Sequence, residues 1–318
     1  MKAIVQERYV GSADLLTPTD VDQPVPKPGE VLIRVRAAGV NPLDWHLAKG
    51  QPYIARPSMG MSGPSDKRRG VDVAGTVDAL GAEVKSLKIG DEVFGWADGS
   101  FAEFATAPED HFVGKPAGLT FEQAAAIPVA AVTALQGLRD QASLKAGQTV
   151  LINGASGGVG SYATQIAKAM GAEVTGVCRT ANVDLVRSLG ADHVIDYTHE
   201  DFTRAGKIYD VVFDNAGNYS PAATLRAVTP RGILVSNSGT GGSWFGPIGR
   251  ILSAQVVSRL NGGRIRIFLA KITHDDLVYL RDLAESGRLR SVIDRTYPLA
   301  KAGEAIAYVE AGHTRGKV

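Results

Sequence analysis

The run Ala155-Ser156-Gly157-Gly158-Val159-Gly160 lies between an apolar segment, "TVLIN", and a helical pattern, "GSYATQIAKA". A glycine-rich turn that leaves a strand and opens a helix is a cradle for phosphate. The first N–H groups of the helix have no partner within it, and its dipole favours an anion. Small residues let the backbone approach a pyrophosphate, and Gly160 lets helix and strand pack closely. Ala155, with Gly154 before it, stands where the dinucleotide fingerprint has its first glycine. A dinucleotide is the expected ligand.

The next strand, "VTGV", decides which dinucleotide, because it ends in Cys178-Arg179-Thr180. NAD sites carry an acid about 20 residues after the cluster to accept the ribose hydroxyls. Here the next acid, Asp184, is already on the following helix. A guanidinium grips a 2′-phosphate with two charge-assisted hydrogen bonds, whereas a carboxylate repels it. Arg179, with Thr180 as a second contact, therefore predicts NADPH. Cys178, at a buried strand end, reads as an inert packing thiol.

These residues need a scaffold. From about residue 121 the chain alternates strand and helix: "QTVLIN", "GVGSYATQIAKAMG", "EVTGVC", "NVDLVRSLG", then "HVIDY", "YDVVFDN" and "GILVSNS". Apolar strands in repeated β-α-β units predict a parallel sheet with helices on both faces, an α/β fold. Thr120 and Gln123 have the capping-box spacing at the head of "FEQAAAIPVAAVTALQGLRD". Residues 1 to about 120 read instead as short strands between glycine and proline turns. In "GEVLIRVRAAGV", Val31, Ile33 and Val35 alternate with Leu32, Arg34 and Arg36, as in a half-buried strand. Frequent short strands of this kind predict a barrel-like unit. After about residue 265, "DDLVYLRDLAESGRL" is an amphipathic helix with Leu277, Leu280 and Leu283 on one face. The basic Arg315-Gly316-Lys317 precedes Val318 at what reads as a shortened last strand.

Composition bounds the setting. With 318 residues there is room for two domains, and a net charge of +1 offers no field for nucleic acid. The lone Cys178 excludes an intrachain disulfide and fits a reducing compartment. The N-terminus, "MKAIVQERYV", lacks a signal-peptide pattern, and "AAAIPVAAVTAL" is too short to span a bilayer. The expected placement is cytoplasmic, with no membrane contact.

Several separate motifs, in order, resemble the medium-chain dehydrogenase/reductase superfamily and its zinc-free quinone oxidoreductase branch. They are "PKPGEVLIRVRAAGVNPLDW", "GVDVAGTV", "LKIGDEVFG", "AAAIPVAAVTALQGL", "NGASGGVG", "GADHVIDY" and "VIDRTYPL". The resemblance implies a GroES-like β-barrel catalytic domain over 1–120, completed by 265–318, and a Rossmann NADPH domain over 121–264. The substrate would lie in the cleft between them, and the oligomer would be a homodimer. Zinc-dependent members carry a cysteine where this chain has Asn41, and a His-Glu pair where it has Val71-Asp72. No metal is therefore expected, since Asn and Val cannot replace those ligands.

The resemblance also assigns roles. Thr133 would lie beside the nicotinamide, Asn41 would line the pocket facing it, and Phe268 and Leu269 would cover it from the barrel side. Tyr197 would pack near the adenosine phosphate. Asn215, Ala216, Gly217, Ser238 and Gly239 would sit at strand ends along the cofactor cleft. Asp44, His46 and Tyr53 follow Asn41 and are the candidates for proton delivery or substrate contact. The segment 51–70 would wall the substrate pocket. The reaction implied is hydride transfer from NADPH to a quinone. Reduction of an α,β-unsaturated aldehyde or ketone uses the same parts, and a non-catalytic NADPH-binding sensor would keep the cradle and Arg179 alone.

Overall fold

The structure, a computed structural model, describes residues 1–237, 244, 246 and 248–318. The chain forms two compact units, one of residues 1–132 with 272–318 and the other of 133–271.

In the first unit, β1 (Lys2–Ala3) and β2 (Thr19–Asp20) form a short antiparallel pair. The main sheet holds β3 (Glu30–Gly39), β4 (Asp72–Leu80), β5 (Glu92–Trp96), β6 (Phe104–Pro108) and β7 (Phe112–Gly114), all antiparallel in the order β6-β3-β4-β5-β7. Val31, Ile33, Val73, Val77, Val93 and Phe112 interlock on its inner side. The expected alternation in β3 breaks at Leu32, which is buried as well as Val31 and Ile33. A register shift against β4 between Leu32 and Ile33 explains this, because a bulge re-aims the side chains that follow it.

Helices α1 (Pro42–Lys49) and α2 (Arg56–Met59) lie between β3 and β4 in sequence. The capping box at Thr120 opens α3 (Phe121–Ala125), with the Gln123 N–H donating to Thr120 Oγ1 at 3.2 Å. The expected long helix stops there. Pro128 supplies no N–H to continue it, so α4 (Pro128–Gln136) starts afresh. Helix α3 belongs with the first unit because its carbonyls press on β3; a Cβ at Gly39 would stand 2.6 Å from the Ala125 oxygen.

The second unit alternates as expected. In order come β8 (Thr149–Asn153), α5 (Gly158–Ala169), β9 (Glu173–Cys178), α6 (Val183–Ser188), β10 (His193–Asp196) and β11 (Tyr209–Asp214). They are followed by α7 (Pro221–Leu225), β12 (Val228–Ser236), α8 (Ile248–Leu260) and β13 (Ile265–Ile267). The sheet is parallel throughout, in the order β10-β9-β8-β11-β12-β13. Counted from β8, that is 3-2-1-4-5-6, the doubly wound Rossmann order, whose direction reverses between β8 and β11. Leu151, Val177, Phe202, Val212 and Leu234 fill part of its core.

The chain then returns to the first unit through α9 (His274–Glu285) and α10 (Ala302–Glu310). Leu277, Leu280 and Leu283 are all buried, as the helical spacing predicts. The shortened last strand is a single parallel bridge between Ile293 and Lys317.

Candidate functional site

Ligands of doubly wound sheets bind at the carboxyl ends of the strands, by the switch point. Most of the sequence-predicted cofactor residues of the second unit lie at those ends, Thr133 on α4 excepted. Gly154–Val159 follow β8, Arg179 and Thr180 follow β9, Tyr197 follows β10, Asn215–Gly217 follow β11, and Phe268–Leu269 follow β13. Ser238 and Gly239 lie outside the described residues.

The glycine turn is built by close approaches. Gly154 has φ +81°, open to glycine with little cost, and its N–H and that of Ala155 both donate to the Val177 carbonyl. A Cβ on Gly160 would collide with the Gly154 carbonyl, so only glycine brings α5 this near β8. Ala155 belongs to the same turn. It is fully buried and packs towards Gly176 of β9, where it shapes the turn from beneath.

Arg179 is exposed at the end of β9, and Asn182 of the turn it opens donates to Ser156 Oγ at 2.9 Å. Cys178 is buried, and burial pushes its thiol up to about 11, which disfavours the reactive thiolate. One acid escaped the sequence reading. Asp196 ends β10 in register with Cys178, and hydrogen bonds from Thr180 and Thr198 lower its carboxyl to about 2. Only strand order brings it beside Thr180.

Across the switch point, Asp214 is wholly buried and organises the turn after β11. Its Oδ1 accepts from Asn153 Nδ2 at 2.8 Å and from the Gly217 N–H at 2.9 Å. Its Oδ2 accepts from Arg250 Nη2 at 2.5 Å, while Arg250 Nη1 donates to the Gly217 and Tyr219 carbonyls. Asn215 Oδ1 accepts from Asn237, and the buried Asn215 Nδ2 has no partner among the described residues. An orphaned buried donor beside a glycine cradle fits a ligand that supplies an acceptor. Thr133 is buried on α4, Tyr197 is half exposed, and Leu269 is almost fully exposed.

The first unit gathers a second cluster. Asn41 caps α1, and its N–H donates to Asp44 Oδ2 at 2.7 Å. Its carboxamide donates from Nδ2 to Asp72 Oδ2 at 2.9 Å and accepts at Oδ1 from Lys317 Nζ at 2.6 Å. Lys317 also donates to the Val40 carbonyl at 3.0 Å and pairs with Asp72 at 3.3 Å. All four residues are buried. Burial pushes Asp44 up to about 7, with the Asp72 charge adding to the rise and the Asn41 N–H and Lys317 opposing it. Burial also raises Asp72, while Lys317, Asn41 and the Val129 N–H pull it back. Sequence reasoning missed Lys317, which reads locally as one more charge in a basic tail.

His46 and Tyr53 stand on the segment that follows Asn41. His46 Nδ1 is 3.1 Å from the Gln51 carbonyl, so that nitrogen carries the proton and Nε2 is an acceptor. The ring stacks on Trp45, and burial lowers its pKa below the ordinary histidine value, with the Gln51 bond opposing that. Tyr53 and Tyr9 each lie 4.5 Å from the Arg56 guanidinium, which also donates to the Gly50 carbonyl. A cavity of about 270 Å³ lies beside the segment, lined by Asp44, Leu47, Met59, Ser65 and Arg69 among others.

A Rossmann-ordered sheet with a phosphate cradle at its switch point, joined in one chain to an antiparallel GroES-like unit, defines a two-unit nucleotide-dependent oxidoreductase. Residues 27–117 match the alcohol dehydrogenase GroES-like domain family, and residues 189–318 match the zinc-binding dehydrogenase family. The chain is 34% identical to a chloroplast envelope quinone oxidoreductase homolog of Arabidopsis thaliana, over all of this chain and 97% of that one. It is also 34% identical to an NADPH-dependent alkenal/one oxidoreductase of the same plant, over all of this chain and 78% of that one. The solved quinone oxidoreductase of Coxiella burnetii superposes with a TM-score of 0.86 at 32% identity, over 99% of this chain and 98% of that one. The chain belongs to the quinone oxidoreductase branch of the medium-chain dehydrogenase/reductase superfamily, and it is an enzyme.

The matched family's zinc does not fit the first-unit cluster. Val71 brings no donor atom, and Asn41 Oδ1 and Asp72 Oδ2 both face the Lys317 ammonium. A dication cannot share those oxygens with an ammonium at hydrogen-bond distance.

Proposed function

We propose that the protein is an NADPH-dependent reductase that delivers a hydride to a quinone without a metal ion. The carrying observation is the carboxyl edge of the parallel sheet, where the glycine cradle and the exposed Arg179 stand together at adjacent strand ends. The dinucleotide's pyrophosphate suits the α5 N-terminus, and its 2′-phosphate suits Arg179, with Asn215 Nδ2 donating to a further acceptor. Bound NADPH would supply the hydride itself.

The chain's own residues orient the partners. Asp214, held by Arg250 and Asn153, fixes the turn after β11, and Ser156 is tied to the turn after β9. Reduction of a quinone to a hydroquinone consumes one hydride and one proton. Asp44, which lines the cavity beside the segment after Asn41 and is raised to about 7, would hold and release that proton near neutrality. His46 and Tyr53 serve as pocket walls in this reading.

A second substrate class is supported by the relative named as an alkenal/one oxidoreductase. Hydride would then reach the β-carbon of an enone, and the proton its α-carbon. Purified protein with NADPH or NADH and panels of quinones and enones, followed by cofactor absorbance, tests the assignment. Faster turnover on quinones with NADPH supports it, and faster turnover on enones moves the substrate. Tight NADPH binding without turnover on either panel overturns both in favour of a sensor.

No helix among the described residues is long and apolar enough to cross a membrane. Cytoplasmic placement and a homodimer complete the proposal; size measurement in solution tests the second.

A further inference from the structure

We propose that Lys317 is a positioning residue for the reduction site, its ammonium being the resident cation that holds the Asn41 carboxamide in one orientation. The inference rests on the reading of Asn41 as part of the pocket.

The argument starts from the carboxamide's two ends. Oxygen and nitrogen of an Asn side chain have nearly the same shape, so only hydrogen-bond partners choose between the two flips. Here the choice is forced by charge. Oδ1 faces an ammonium at 2.6 Å and Nδ2 faces a carboxylate at 2.9 Å. Flipping the group would set the NH₂ against the ammonium and the oxygen against Asp72, two repulsions in a buried place. With the flip forbidden, the second Nδ2 hydrogen has one direction, towards the Gly39 carbonyl in a long 3.5 Å hydrogen bond. A ligand acceptor nearer than that carbonyl would draw the same hydrogen, along the direction the fixed carboxamide sets.

Lys317 also balances charge. It is 245 residues from Asp72 in sequence, yet it is the cation paired with that wholly buried carboxylate. The other charged groups that act on the cluster are Asp44 and Arg69. A buried carboxylate stripped of its cation takes up a proton or destabilises the fold. In zinc-dependent members a metal would stand among these positions. Here a lysine from the far end of the chain does so.

The test compares wild type, Lys317→Met and the double variant Lys317→Met/Asp72→Asn. The double variant removes both charges, so it avoids a lone buried carboxylate and is the variant to rely on if Lys317→Met fails to fold. The expected result is that the double variant regains thermal stability over Lys317→Met and binds NADPH as the wild type does. Its kcat stays down by about tenfold or more, the loss expected when a positioned donor is released. In Lys317→Met, the carboxyl-carbon NMR titration of Asp72 moves to higher pH.

Wild-type kcat in the folded double variant would overturn the proposal, as would stoichiometric zinc in the purified protein. An unmoved Asp72 titration in Lys317→Met would do the same without any assay. If the wild type itself turns over neither quinones nor enones, the functional reading fails; the titration and metal analysis still judge the Lys317 network.

Discussion

Asn182 donates to the Ser156 hydroxyl at 2.9 Å, so the turn carrying Arg179 and the glycine turn after β8 are fastened to each other. The two loops are 26 residues apart in sequence, and they come from neighbouring strands. Asn182→Ala should therefore weaken NADPH without touching it. One such bond is worth about 0.5–1.5 kcal/mol net, which corresponds to a roughly 2- to 10-fold rise in Kd. Calorimetric titration measures it, and an unchanged Kd would show that the fastening is idle.

Arg179→Ala separates phosphate recognition from general binding. A hydrogen bond to a charged group contributes about 1.5–3 kcal/mol, so NADPH affinity should fall roughly 10- to 100-fold. NADH, lacking the 2′-phosphate, should change little. Equal losses for the two cofactors, measured side by side, would remove Arg179 from the phosphate site.

Asp214 and Arg250 form a pair with little exposure on either side. Arg250→Met leaves a buried carboxylate without its cation, a change that costs about 3–5 kcal/mol in comparable pairs. The midpoint of denaturant unfolding should drop accordingly, and the freed Asn215–Gly217 turn should raise KM for NADPH. A variant as stable as the parent would mean that Asn153 and the turn N–H groups suffice.

Asp44 sets a pH dependence whose sign can be worked out. It ionises at 3.8 as a free side chain and about 7 in the fold, so the folded chain keeps a proton that the unfolded chain gives up. The stability it contributes is full below 3.8 and is lost as pH rises through about 7. Asp44→Asn should flatten that decline, gaining more at about pH 8 than at about pH 5 in matched urea titrations. A parallel offset at both pH values would contradict the buried titration.

Gly160→Ala tests the helix–strand approach. The added methyl meets the Gly154 carbonyl, a rigid neighbour, so backbone must move. Overpacking of this kind costs about 1–3 kcal/mol, and cofactor affinity should fall with it. Undiminished thermal stability and affinity would show slack in the turn.

Much of the nucleotide site was legible because its signals are local. A glycine run between an apolar strand and a helix, and an arginine at the next strand end, sit within 30 or so residues and need only strand order to join them. Asp196 stayed hidden since nothing in "HVIDY" reveals that β10 lies beside β9. Lys317 stayed hidden for a stronger reason: its partners Asn41 and Asp72 are more than 200 residues away. The amphipathic pattern of α9 was plain from its leucines, whereas β3 departed from alternation at Leu32 through a bulge with no sequence mark. His46 offers a proton donor by residue type, whereas its stacking on Trp45 and its bond to Gln51 come only with the fold.

The first unit is assembled from both ends of the chain, with the second threaded through its middle. During synthesis, residues 1–132 emerge before the lysine that completes their interior. The continuous stretch 133–271 can acquire its tertiary structure while its flanks wait. The interior around Asn41 and Asp72 is thus complete only once Lys317 has been made.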